Sequence, residues 1–191
     1  MKAKAKARLI TTAFVALGAI GLFFVPLPRR LAPVTRIVTA ASIARPDAVV
    51  FDYVTTPGNW PLWHPSSLAV SGATDHSLGV GEQVTEEFRV AGRRGRVVWT
   101  VAERNRPLSW SIDGAIDGRR AGTVTYVMRS GFQGTQFTRE FAYFAPTLSF
   151  VVLNKLYLRQ RIQAESDDAV ARLKRVLEAG ANESARSGAA P

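Results

Sequence analysis

Between Val84 and Tyr143 apolar side chains recur at every second position in five successive runs, and this alternation restricts the chain to a half-buried antiparallel sheet. Val84, Glu86, Phe88 and Val90 share one face of the first run, and Val97, Trp99 and Val101 one face of the second. Leu108, Trp110 and Ile112 do so in the third, Val124, Tyr126 and Met128 in the fourth, and Phe137, Arg139, Phe141 and Tyr143 in the fifth. Glycines at 92 and 95, 114 and 118, and 131 and 134 stand where hairpin turns are needed. Upstream, Thr35 to Ile43 reads as a strand, and Pro46 opens a helix carrying Val49, Val50, Tyr53 and Val54 that should stop before Pro57. Asn59 to Pro65, aromatic and proline-rich, reads as a short helix or turn. Beyond Pro146 the period turns helical: Leu148, Val152, Leu156, Ile162, Ala169, Leu173, Val176 and Leu177 draw one stripe ending near Gly180. A sheet and a helix that are each apolar on one side must cover one another, so the expected fold is α+β, a curved antiparallel sheet wrapped around a long C-terminal helix.

With 191 residues, 47% of them hydrophobic, the chain can fill one sizeable core. The expected organisation is a tail, membrane anchor and linker over residues 1–33, one ligand-binding domain over 34–180, and a disordered Ala-, Gly- and Ser-rich tail over 181–191. Leu9 to Pro28 contains no ionisable side chain and has the length of a transmembrane helix, roughly 20 residues; it reads as a signal peptide cleaved at Ala19-Ile20-Gly21 or, preferred because cleavage would leave Leu22-Phe23-Phe24-Val25 as the new N-terminus, as a retained anchor. Lys2, Lys4, Lys6 and Arg8 precede it, which orients the N-terminus inward and the domain to the outer, periplasmic side of the inner membrane of a bacterial cell as a single-pass protein.

Several chemistries are excluded. The chain has no cysteine and only His64 and His76, so no metal site and no thiolate nucleophile is expected. No phosphate-binding or dinucleotide fingerprint occurs, and no cofactor is expected. Ser66 and Ser67 lack the nucleophile-elbow context of a hydrolase. The formal charge of +10 is spread over the N-terminal tail and over clusters such as Arg93-Arg94-Arg96 and Arg119-Arg120 at expected hairpin tips. No recognition helix or aromatic-basic strand accompanies it, so no nucleic-acid partner is expected.

The order of elements, the segment Trp60-Pro61-Leu62-Trp63-His64-Pro65, the turn Gly79-Val80-Gly81 before a strand, and the ending Glu165-Ser166 with Leu173-Lys174 and Leu177-Glu178 carry a resemblance. Across Val34 to Gly180 the chain resembles the polyketide cyclase/dehydrase branch of the START-like, helix-grip (SRPBCC) superfamily. The resemblance implies a hydrophobic cavity between sheet and C-terminal helix that holds a lipid, polyketide or other apolar molecule. Superfamily members include carriers, receptors and ring-closing enzymes, so the fold does not select among them.

The most pointed residues are Glu86 and Arg139, each a charge on an otherwise apolar face. Either they pair with each other or with a polar ligand group, or a β-bulge turns them out and brings Glu87 and Glu140 inward. His64 beside Trp63 reads either as a proton shuttle at a pocket mouth or as a turn residue next to an indole that plugs the core. Expected ligand-lining residues are Trp63, Glu86, Phe88, Trp99, Trp110, Tyr126, Arg139, Tyr143 and Leu156; core packing without a ligand is the alternative for the aromatics. Three functions follow: a membrane-held carrier or sensor of a hydrophobic molecule, a cyclase/dehydrase-type enzyme in which Glu86 or His64 moves a proton and Arg139 or a tyrosine stabilises an enolate, and an interaction module with a filled core.

Overall fold

A computed structural model describes residues 21, 23–28 and 30–187, with side chains followed as far as residue 180. Seven strands form one antiparallel sheet: β1 (Val34–Ile43), β2 (Ser67–Gly72), β3 (Gln83–Val90), β4 (Arg93–Asn105), β5 (Ser109–Ile116), β6 (Arg119–Gly131) and β7 (Gly134–Phe144). The order across the sheet is β1-β7-β6-β5-β4-β3-β2, so β2 to β7 form a run of neighbours and β1 returns to pair with β7. Register shifts between Ser67 and Ala69, Val101 and Glu103, and Gly114 and Ala115 mark the bulges that add curvature. Two helical pieces, α1 (Asp47–Thr55) and α2 (Trp60–Trp63), link β1 to β2. After β7 come α3 (Leu148–Leu153), a π-helical turn (Asn154–Leu158) and α4 (Arg159–Ser187), which packs against β1 and α2. The layering is the helix-grip arrangement that the resemblance implies, and its helix runs past the expected end at Gly180 to Ser187.

β2 was not anticipated, because Ser67-Leu68-Ala69-Val70-Ser71-Gly72 offers only a weak alternation and forms the sheet edge. Gly95 and Gly114 are not turn residues but lie within β4 and β5. A Cβ at Gly95 would meet the Phe88 ring at 2.6 Å, and one at Gly114 the Trp99 ring at 2.5 Å, so these glycines leave room for a neighbouring strand's aromatic to lie across them. The turns fall at Ala91-Gly92 and Asp117-Gly118, all four with positive φ.

The C-terminal stripe also differs. The π-helical turn adds a residue to the helical repeat, which rotates the following face by roughly 100°. Leu148, Val152 and Leu156 are therefore 43%, 42% and 72% exposed, while the inward row runs Phe150, Asn154, Leu158, Ile162, Ser166 and Val170. Leu156, expected to line the ligand site, is placed on the outside by that rotation.

Most of the expected membrane span, Leu9 to Pro28, lies outside the described residues. Among the described residues no helix is long and apolar enough to cross a membrane. That finding corrects the expected transmembrane helix and with it the single-pass inner-membrane placement: the one long helix of the described chain, α4, carries charge along its outer face.

Candidate functional site

The concave face of the sheet is divided into two apolar regions by a belt of polar groups. At one end, Trp60, Trp63, Trp110, Tyr126, Phe137 and Met128 join Phe51, Leu78 and Leu173 in the main core. Trp110 stacks on Tyr126 with ring centroids 5.5 Å apart, and Trp63 meets Tyr126 edge-on at 6.3 Å. At the other end a smaller cluster of Ile37, Tyr143 and Ile162 is flanked by half-buried Val90, Phe141, Phe150 and Leu158. The Tyr143 hydroxyl there donates to Asn154 Oδ1 at 2.6 Å, and Asn154 donates to Thr35 Oγ1 at 2.8 Å, which ties the π-helical turn to β1.

Arg139 is the centre of the belt. The strict alternation of β7 turns it inward between Phe137 and Phe141, leaving it 6% exposed. One terminal nitrogen donates to Ser166 Oγ at 2.9 Å and the other lies 3.1 Å from His64 Nε2. A guanidinium has no lone pair to offer, so Nε2 accepts and the imidazole proton resides on Nδ1. The guanidinium also lies over the Phe141 ring at 5.6 Å. Its Nε is buried without a partner, and among the described residues no carboxylate lies within ion-pair distance of it.

Glu86 enters the belt from β3, also buried, and accepts from Trp99 Nε1 at 2.7 Å. Burial pushes its carboxyl above the usual range, against the opposing pull of the Ser67 hydroxyl, the Trp99 N–H and the Arg139 charge. Glu86 and Arg139 thus both face inward but form no ion pair, while Glu87 and Glu140 point out and pair with Arg96 and Arg36. Enclosure beside Arg139 holds the His64 pKa down at about 3, so the ring is neutral at ordinary pH. Burial drives the Tyr126 phenol up to about 12, although Arg139, its register partner on β7, pulls the other way.

Of the expected site residues, Trp63, His64, Glu86, Trp99, Tyr126 and Arg139 come together at or beside the belt. Trp110 lies deeper in the core, Phe88 lies across Gly95, Tyr143 belongs to the far cluster and Leu156 faces outward. Sequence reasoning missed Ser166 and Thr39, which are joined by a 3.1 Å hydrogen bond and complete the belt on the helix side. Both were visible as single hydroxyls in apolar rows, Thr39 among Ile37, Ala41 and Ile43, and Ser166 between Ile162 and Val170. Glu165 was also missed as an anchor: it accepts from Ala91 N and from Ser66 Oγ, fastening α4 to the β3–β4 turn and to β2.

A family described as polyketide cyclase / dehydrase and lipid transport matches residues 34–178, which span every strand and most of α4. The chain belongs to that family. No curated protein matches it closely enough to name a relative. Among solved structures, the SA2116 protein of unknown function from Staphylococcus aureus aligns with a TM-score of 0.64 at 8% identity, over 81% of this chain and 99% of that one. Protein Ms6760 from Mycobacterium smegmatis aligns with a TM-score of 0.56 at 19% identity, over 78% and 99%. DynU16, described as a putative protein in the dynemicin biosynthetic locus, aligns with a TM-score of 0.56 at 18% identity, over 76% of this chain and 48% of its own. At such identities the likeness establishes the fold alone.

Two hollows among the described residues are open to solvent. One of about 190 Å³ lies between Pro65 and the Arg161, Ala164, Glu165 and Asp168 face of α4. The other, of about 500 Å³, lies between α1 and the far part of α4. Neither is the enclosed cavity expected from the sequence, because the indole and phenol rings of Trp63, Trp110 and Tyr126 occupy the main core.

Proposed function

We propose that the protein binds an apolar small molecule through an oxyanion, a carboxylate or an enolate, received at Arg139. The single observation that carries the reading is a buried guanidinium whose side-chain partners, Ser166, His64 and the Tyr126 phenol, are all neutral and whose Nε has none. An uncompensated buried charge is costly, and a ligand oxygen in the belt supplies the missing partner. Phe141, under the guanidinium, leads toward the half-buried end, where Val90, Phe150 and Leu158 offer apolar surface for the rest of the molecule. A core already filled by aromatics confines the ligand to the belt and the surface beyond it.

The test compares dodecanoate with dodecanol by calorimetry on the full chain. Dodecanoate should bind more tightly, and Arg139→Gln should weaken it at least about tenfold, the loss of one charge-assisted hydrogen bond, while leaving the alcohol nearly unaffected. Equal affinities for acid and alcohol, or binding of neither, would sink the idea.

A second reading, ring-closing or dehydrating catalysis, is favoured by the raised pKa of Glu86. A buried carboxyl that holds its proton more tightly than an exposed one suits general acid-base work, and a guanidinium such as that of Arg139 stabilises an enolate. Incubation with a poly-β-ketone thioester mimic decides it: Glu86→Gln should abolish product while retaining binding, and absence of product from the unaltered protein rejects catalysis on that substrate class.

A further inference from the structure

Large apolar side chains stand exposed along two segments that meet at one end of the sheet. Leu148, Val152, Leu153, Leu156 and Tyr157 cover the outer side of α3 and the π-helical turn. Phe23, Phe24, Val25 and Leu31 are exposed in the stretch before β1. That stretch is fastened beside α3: Leu27 N donates to the Pro146 carbonyl at 2.8 Å, Pro26 bridges Thr147, and Ala145 N donates to the Pro33 carbonyl at 3.1 Å. We propose that this surface docks on an anionic lipid bilayer, its apolar side chains entering the headgroup region and its basic side chains meeting the lipid phosphates.

Charge selects the partner. Residues 21–46 and 141–164 contain no Asp or Glu. Arg30, Lys155 and Arg159 are exposed there, and among the described residues no carboxylate pairs with any of the three. Because neighbouring strands are antiparallel, the β3–β4 and β5–β6 turns lie at the same end of the sheet as the start of β1 and the end of β7. They add exposed Arg93, Arg94 and Arg119, against the carboxylate of Asp117 at the second turn. A second copy of the chain packed on this face would set these cations against one another. An anionic bilayer instead suits both halves of the surface. Each basic side chain near an anionic leaflet strengthens binding about fivefold, and exposed leucine and phenylalanine side chains gain further by leaving water for the interface. A tyrosine such as Tyr157 combines the ring and the hydroxyl that headgroup depth favours. Contact of this kind lays the helix along the lipid surface and crosses nothing. Phe150 and Leu158, on the inner side of the same helical stretch, belong to the half-buried cluster beyond the belt, so docking brings that cluster close to lipid.

The chain has no cysteine, so a polarity-sensitive dye can be attached at one chosen position of the full-length protein. Leu156→Cys carries the dye on the proposed surface, and Phe132→Cys carries it on the β6–β7 turn, where an equally solvent-facing apolar side chain stands at the opposite end of the sheet. With vesicles of phosphatidylcholine and phosphatidylglycerol, emission from Leu156→Cys should shift to the blue and emission from Phe132→Cys should not. Phosphatidylcholine vesicles alone should bind at least about tenfold more weakly, and added salt should narrow the difference. In cosedimentation with the mixed vesicles, Lys155→Gln should weaken binding about fivefold and Leu153→Ser about tenfold, for the loss of one basic and one apolar contact. Both positions are exposed, so each variant should keep its fold. Arg139→Gln should leave vesicle binding unchanged, which separates this surface from the belt. A blue shift in Phe132→Cys but not in Leu156→Cys, binding indifferent to Lys155→Gln and Leu153→Ser, equal binding to both kinds of vesicle, or binding to neither would each overturn the proposal. So would self-association abolished by Leu153→Ser in a protein that ignores vesicles.

Discussion

The two apolar ends of the concave face are built from similar residues yet behave as different materials. In the main core, Trp63, Trp110, Phe51, Phe137 and Leu78 are fully buried and the aromatic rings lock edge to face or stacked. Beyond the belt, Val90, Phe141, Phe150 and Leu158 are half-buried and the helix above them is interrupted by a π-helical turn with no buried residue. Close packing makes the first region stiff and costly to alter. Incomplete cover leaves the second adaptable, which is what a ligand-receiving surface requires. Polar residues mark the boundary between the two apolar clusters, where neutral acceptors meet Arg139 without compensating its charge.

The sharpest way to break this contrast is to delete a large ring on each side. Trp110→Ala should cost about 3–5 kcal/mol in chemical denaturation, since the void left beneath Tyr126 has no mobile neighbour to fill it. Phe150→Ala, beyond the belt, should cost less than half of that. Equal losses would show that the second region is as rigid as the first. Next in size is Gly114→Ala, with an expected cost of about 1–3 kcal/mol for overpacking. The added Cβ must displace the Trp99 ring, and that ring cannot pivot without stretching its 2.7 Å bond to Glu86.

The same contrast governs what could be read from the sequence. Alternation in β3 to β7 named the inward faces, because a strand has a fixed period, but it left Glu86 and Arg139 open between an inward place and a bulge that turns them out; the structure buries both. Helical spacing had no such protection. Leu148, Val152 and Leu156 keep a four-residue rhythm with Ile162 only approximately, and one extra residue in the π-helical turn moved them to solvent. The belt was half legible: charges on apolar faces announce themselves, whereas Thr39 and Ser166 are hydroxyls of ordinary size whose meaning depends on α4 lying against β1. That contact links residues 127 positions apart, beyond the reach of any local pattern.

Acid should probe the belt more gently than ring deletion does. His64 titrates at about 3 in the folded chain but near the ordinary imidazole value of 6.5 when unfolded, so the unfolded state takes up the proton first. The stability contributed by a neutral His64 is complete above pH 6.5 and is lost as the pH falls toward 3, with a slope of up to about 1.4 kcal/mol per pH unit. Glu86 has the opposite sign: its raised pKa favours folding at low pH and opposes it as the pH rises through the folded value, so it partly offsets the histidine. Denaturation midpoints between pH 4 and 7 should therefore flatten in His64→Gln and steepen in Glu86→Gln. Parallel profiles for all three proteins would mean that these groups are not enclosed together.

The smallest expected effect lies just outside the half-buried end. Leu156 is 72% exposed on the π-helical turn, and its neighbour Tyr157 is 56% exposed, so neither contributes to the cluster of Ile37, Tyr143 and Ile162 beneath them. Leu156→Ala should change stability by no more than about 0.5 kcal/mol, as for surface substitutions generally, whereas Leu158→Ala, two positions along and turned inward, should cost measurably more. The difference between these two leucines isolates the direction each faces from hydrophobicity itself. If Leu156→Ala were the more damaging of the two, the inward row would be Leu148, Val152 and Leu156 after all, and the far end of the concave face would be lined by a different side of the helix.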